Sequence, residues 1–185
     1  MIETLLDRAR EVYEGLPQEP PTFTQGDLKT EHFWIVPRGL TLIDFDTAHL
    51  ADPALGIGKF LADLQFWFDT YGLSGIEQAE ERFLAGYAQG VPSDRLVRAR
   101  LFEALELVKI SVRRVYLFEC DWAARIQRLV SRAKTLLYEL DEVRDKAGKH
   151  ILLHQGTSRR EVQYACSNDC SGGALARLPL PAARH

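Results

Sequence analysis

Four carboxylates, Asp27, Asp44, Asp46 and Asp52, fall within the stretch "TFTQGDLKTEHFWIVPRGLTLIDFDTAHLADPALGIG", among glycines, apolar runs and a proline turn. At such intervals they serve either as turn formers and helix caps or as a site for metal and phosphate. Asp27 lies in a loop ahead of two short apolar runs, and Asp44 closes the second run. A hairpin between them brings both residues to one edge of a small sheet. Two carboxylates aimed at one point repel, so they share a cation, a proton or a hydrogen-bond donor. Mg²⁺ takes one or two carboxylates plus substrate phosphates, which suits so sparse a set. Lys29, two residues after Asp27, projects from the same loop and would neutralise a phosphate. Asp52 precedes Pro53 and reads as an N-cap with proline at the first helical position. Asp46 stands evenly between a metal neighbour and a turn former.

The elements that must position these residues are short strands followed by long helices. "IETLLDRAREVYEG" places Ile2, Leu5, Leu6, Ala9, Val12 and Tyr13 on one helical face, and Gly15 stops it. "LPQEPP" breaks the chain, because each proline removes a donor and restricts its predecessor. "FWIV" and "LTLIDF", joined by "PRG", read as a hairpin with a left-handed position at Gly39. A helix then runs through "ALGIGKFLADLQFWFDTY" to Gly72; its Asp63 and Asp69 read as solvated or paired. "SGIE" at Ser74 to Glu77 opens another helix as a capping box. Two more carry apolar stripes, Val97 to Val115 and Trp122 to Leu140, with arginines and glutamates on solvated outer faces.

The 185 residues suffice for one domain with a substantial core, and a net charge of −3 argues against a nucleic-acid partner. No apolar run spans a membrane, and the charged start "MIETLLDRAR" is no signal peptide. Cys120 lies alone in a helical pattern, and Cys166 and Cys170 have no second pair to complete a zinc site. A reduced, cytoplasmic protein is expected.

The segment "QGDLKTEHFWIVPRGLTLIDFDTAHLADPAL" resembles the catalytic segment of the aminoglycoside phosphotransferase and choline kinase family, relatives of the protein kinases. That family's pattern is H-G-D-x-x-x-x-N, a hairpin, then I-D-F/W-[DEG]. Several positions match in order and spacing, from Thr22 to about Leu64, and the helices to about Ala147 match in general character. The resemblance implies a mostly α fold with a small β-hairpin, a protein-kinase-like C-terminal lobe lacking the N-terminal nucleotide-binding lobe. The lobe would occupy residues 1–149, with catalytic loop and hairpin at 22–52 and helices at 53–147. Residues 150–185 would form a loosely ordered tail.

By the same resemblance, Asp27 is the base that accepts the proton of a substrate hydroxyl. Asp44 holds Mg²⁺ against the phosphates of ATP, and Lys29 lies near the transferred phosphate. The sequence also departs from the pattern. Gln25 replaces the family's His, and His32 stands where a second metal ligand, Asn, is expected. Gly56 replaces an aspartate that ties the helix start to the catalytic loop, so the loop should be less well held. No G-x-G-x-x-G and no lysine precede Asp27. The implied function is an ATP- and Mg²⁺-dependent phosphotransferase acting on a hydroxyl of a small molecule, incomplete as a single chain. The alternative is a catalytically inactive kinase-like remnant or a helical binding module. The expected partners are the hydroxyl acceptor and either an N-lobe-bearing chain or a second copy through self-association.

Overall fold

The computed structural model describes the backbone of residues 2–118 and 120–161, and the side chains of 2–118 and 120–143. The chain divides into two units, 1–145 and 146–185, and the packing below is that of the first. Its elements in order are α1 (Ile2–Glu14), β1 (Thr22–Thr24), a single 3₁₀ turn (Thr30–His32), β2 (Phe33–Val36), β3 (Gly39–Leu42) and β4 (His49–Ala51). They are followed by α2 (Leu55–Tyr71), α3 (Ile76–Tyr87), α4 (Ser93–Arg113) and α5 (Trp122–Glu161). The expected architecture, mostly helical with a small hairpin, is therefore the one observed. No helix among the described residues is long and apolar enough to cross a membrane.

The core is built by four helices. Leu5, Ala9 and Val12 of α1, Phe66 of α2, Leu101 and Leu107 of α4, and Leu129 and Leu136 of α5 share one buried cluster. The apolar stripe of α1 is narrower than its sequence pattern, since Ile2, Leu6 and Tyr13 stay exposed. α2 and α4 pack tightly at Gly58, where an added Cβ would lie 2.5 Å from the carbonyl oxygen of Ala99 and from Cβ of Phe102. Any larger residue there would force the two helices apart. A smaller cluster of Ala54, Ile57, Leu61 and Ala99 is covered by Phe83 and Tyr87 of α3.

Several expectations are corrected. The β2–β3 hairpin pairs Val36 with Gly39, so its loop is the two residues Pro37 and Arg38, and Gly39 (φ +140°) already belongs to β3. A second antiparallel pair, β1 with β4, joins Phe23 to Leu50 and was not read from the sequence. α3 has no capping box: Gly75 in the left-handed region precedes it, and no side chain caps it. The polar side of α4 is not simply solvated, because Arg98 and Glu103 are fully buried. Arg98 donates to Asp52 (2.9 Å) and to the Pro17 carbonyl (2.6 Å), and it pairs with Glu19. Cys120 lies in the turn between α4 and α5, exposed, rather than in a helix. α5 continues to Glu161, past the sequence break near Lys149, while residues 162–185, with Cys166 and Cys170, lie outside those described.

Candidate active site

The loop carrying Asp27 is held by what surrounds Gly26. Gly26 has φ +85°, and an added Cβ would sit 2.1 Å from the Thr47 carbonyl oxygen. Only glycine permits both that conformation and that approach of one chain segment to the next. The neighbouring Gln25, almost fully buried, ties the same two segments together. Its carboxamide oxygen accepts the Asp27 N–H at 2.8 Å, while its nitrogen donates to the carbonyls of Ile43 (3.2 Å) and Asp44. One side chain thus positions Asp27 and Asp44 together across a gap in sequence of 17 residues.

His32 completes this arrangement. It is buried, with Nδ1 3.3 Å from the Gln25 nitrogen and Nε2 3.2 Å from Oδ2 of Asp44. The Gln25 nitrogen can only donate, so Nδ1 must accept and Nε2 must carry the proton that faces Asp44. His32 therefore orients the carboxylate of Asp44. Asp44 itself lies two residues beyond the end of β3, not in the strand, at φ +61°. Aspartate tolerates this region better than most residues. The conformation leaves its side chain about half exposed (47%) while the backbone stays tied to Gln25.

Asp27 is clasped by two ammonium groups, Lys29 at 2.5 Å on one oxygen and Lys59 at 2.6 Å on the other. Burial works to raise the Asp27 carboxyl, but hydrogen bonds from Lys29 and Lys59 outweigh it and hold the group below the usual carboxylate range. Burial likewise works against the charge of Lys29, and Asp27 more than compensates, so its pKa is raised. Both groups are charged at neutral pH. Lys59 comes from the first turns of α2 and also donates to the Gly26 carbonyl at 3.0 Å. It was not singled out in the sequence, where its one signal is its i,i+4 spacing to Asp63.

Asp63 corrects the expectation that the loop is poorly held for want of an aspartate at Gly56. It is buried on α2, and one oxygen accepts both the N–H and the hydroxyl of Thr30 at 2.8 Å each. Its other oxygen pairs with Arg114, whose guanidinium lies 4.4 Å from the centroid of the Phe66 ring. The tie between helix and loop is thus made two turns later than expected. Asp52 is not the N-cap expected: α2 begins at Leu55 with Ala54 as its N-cap and no side-chain cap, and Asp52 accepts the Ala54 N–H at 2.8 Å in the turn before it. Its second oxygen binds Arg98.

Of the residues singled out in the sequence, the structure gathers Asp27 with Lys29, and His32 with Asp44. Asp46 is exposed in the following turn and makes no ion pair or hydrogen bond among the described residues. No group of three or more His, Cys, Asp or Glu side chains able to hold a metal ion occurs among the described residues. The donor set fits Mg²⁺ only as one carboxylate, Asp44, of an ion whose other ligands are phosphate oxygens and water. Asp27, Lys29, Lys59 and Arg114 line a cavity of about 220 Å³.

No family model matches the chain, and no curated protein matches it. Among solved structures, it is similar to a choline/ethanolamine kinase family protein from Mesorhizobium loti, at 17% identity and TM-score 0.49, over 71% of this chain and 44% of that one. It is also similar to a thermostable mutant of aminoglycoside phosphotransferase APH(4)-Ia in its apo form. That match has 19% identity and TM-score 0.49, over 75% of this chain and 43% of the other. The chain spans less than half the length of either. Identities this low carry no residue roles across, so what the site can do rests on its own side chains.

Proposed function

We propose that this chain carries the acceptor-side and metal-side residues of a phosphotransferase that moves the γ-phosphoryl group of ATP to a hydroxyl of a small molecule, with Mg²⁺. The observation that carries this reading is the Gln25 bridge, which ties the backbone of the ionised Asp27, a residue lining a lysine-rich cavity, to the backbone of the half-exposed Asp44. Phosphoryl transfer needs chiefly positioning and neutralisation of charge. Asp27 accepts a hydrogen bond from the acceptor hydroxyl and aims its oxygen at phosphorus. As the new P–O bond forms and the bond to ADP breaks, the hydroxyl proton passes to Asp27 and then to solvent. Lys29 and Lys59, already on Asp27, offer positive charge to the phosphoryl oxygens. Mg²⁺, when bound through Asp44, supplies further neutralisation of the phosphates.

The low basicity of Asp27 accords with a role in orientation more than in strong proton abstraction. It equally favours a second reading, in which the lysines lock Asp27 in place and the chain is an inactive kinase-like module. Trp34, Ile35 and Leu40 on the hairpin, and Phe23 and Leu50 on the β1–β4 pair, are 58 to 90% exposed. Apolar surface of that extent supports coverage by a nucleotide-binding lobe, supplied by a further segment or a partner chain, or by self-association.

The test is Asp27→Asn in the full chain, assayed for transfer from ATP to a panel of hydroxylated acceptors. Loss of transfer by at least about 100-fold with an unchanged unfolding midpoint is expected, in the range of general acid–base contributions. Undiminished transfer would remove Asp27 from this role, and no transfer by either protein would favour the inactive module.

A further inference from the structure

The cavity beside Asp27 has a second wall that the transfer chemistry does not require. Lys109, Ile110, Arg113 and Arg114, from the end of α4 and the residue after it, close the cavity opposite the loop and α2. Together with Lys29 and Lys59 they bring five cationic side chains against three carboxylates, Asp27, Asp63 and Glu106. The excess of two positive charges stands in a chain whose net charge is −3.

The carboxylates are already committed. Asp27 holds Lys29 and Lys59, Asp63 holds Thr30 and Arg114, and Glu106 pairs with Lys109 at 2.8 Å. Arg113 has no carboxylate partner among the described residues. Lys109 and Arg113 are one turn apart on the same face of α4, a like-charge spacing that mildly destabilises a helix. The helix dipole favours cations at the end of α4. It does not account for lysines converging from the loop and from α2. A concave site with an excess of positive charge concentrates anionic ligands. Its volume, about 220 Å³, is below that of pockets for drug-sized ligands, so the occupant is small.

We infer that this cavity selects an anionic alcohol, a small hydroxyl compound already bearing a phosphate or carboxylate, as the acceptor, with Lys109 and Arg113 gripping its anionic group. Its hydroxyl end then lies toward Asp27. This rests on the phosphotransferase reading above and names the substrate class for it. A cationic amino alcohol or aminoglycoside would place like charge against the α4 wall.

The test is titration calorimetry of the full chain with glycerol 3-phosphate and with choline as probes, without nucleotide and at two salt concentrations. Lys109→Ala, Arg113→Ala and the charge reversal Arg113→Glu are run in parallel, with thermal unfolding to confirm folding. Glycerol 3-phosphate should bind at least tenfold more tightly than choline, more weakly at high salt, and tenfold more weakly in each variant. Choline bound as tightly, or anion binding indifferent to all three variants, would overturn the inference. So would competitive displacement of glycerol 3-phosphate by ATP, which would assign the cavity to the phosphate donor. If the expected binding pattern appears but ATP phosphorylates no acceptor, the phosphotransferase reading fails and the anion-binding cavity stands.

Discussion

Replacing Asp63 with alanine tests how the loop carrying Asp27 is held. The carboxylate is 2% exposed and accepts two hydrogen bonds from Thr30 at 2.8 Å, besides pairing with Arg114. Arg114 is 30% exposed and can turn to water once its partner is gone, so its loss is the smaller part. The Thr30 N–H is fixed by the backbone at a part-buried position, and leaving it unpaired costs about 1–3 kcal/mol, with about 1 kcal/mol more for the hydroxyl. A total of about 3 kcal/mol is expected, which for a unit of this size lowers the unfolding midpoint by roughly 10 °C. Urea unfolding followed by fluorescence of Trp67, which lies on α2 with Asp63, measures it. Thr30→Val supplies the second arm of a double-mutant cycle, with a coupling energy of about 1–2 kcal/mol to Asp63→Ala. A cost below about 1 kcal/mol, or no coupling, would refute the view that Asp63 ties α2 to the loop.

Two further perturbations follow from the same structure. Burial pushes the Glu103 carboxyl from its ordinary 4.5 up to about 7, against the opposing pull of Arg100. The folded state then binds the proton more tightly than the unfolded, so this contribution to stability is full below about pH 4.5 and is lost as pH rises through 7. The change amounts to about 3 kcal/mol at most and should vanish in Glu103→Gln, as read by unfolding midpoints from pH 5 to 8. Glu19, lowered to about 2 chiefly by its hydrogen bond from Arg95, acts oppositely: its contribution is present above pH 4.5 and lost as pH falls through 2, outside that window. Gly26→Ala should cost more than about 2 kcal/mol and any activity, because a Cβ meets the Thr47 carbonyl in a left-handed conformation. Gly86→Ala in α3, with nothing within 4 Å, should be neutral or stabilise by about 0.5 kcal/mol, and the two together separate local strain from helix propensity.

The part of the site legible in the sequence was the part encoded locally. Asp27, Lys29, His32 and Asp44 lie within one hairpin length, and their order and spacing carried the reading. Lys59 and Asp63 reach the same loop from α2, and nothing near them in sequence marks a charged pair facing inward rather than to water. Arg98 and Glu103 were misplaced for a related reason. Amphipathic patterning assigns charged positions to solvent, whereas Arg98 is buried against Asp52 and Glu19, far along the chain, and Glu103 against Arg100 one turn away and Arg132 of α5. The capping box at Ser74 failed because Gly75, in a left-handed conformation, is the N-cap, which leaves Ser74 one residue outside the capping position. The presence of the helices was clear because their stripes are long and periodic, but not every extent was, since α5 runs on to Glu161 past the break near Lys149. The β1–β4 pair was not, since three-residue strands 25 residues apart leave no periodic trace.

The most direct test of a working metal–phosphate site is calorimetric titration of the full chain with Mg²⁺ and ATP, with Asp44→Ala as the control. Sub-millimolar binding that requires Mg²⁺ and disappears in Asp44→Ala is the predicted result. Equal binding by both proteins, or none by either, would contradict the assignment of Asp44 to the metal and phosphates.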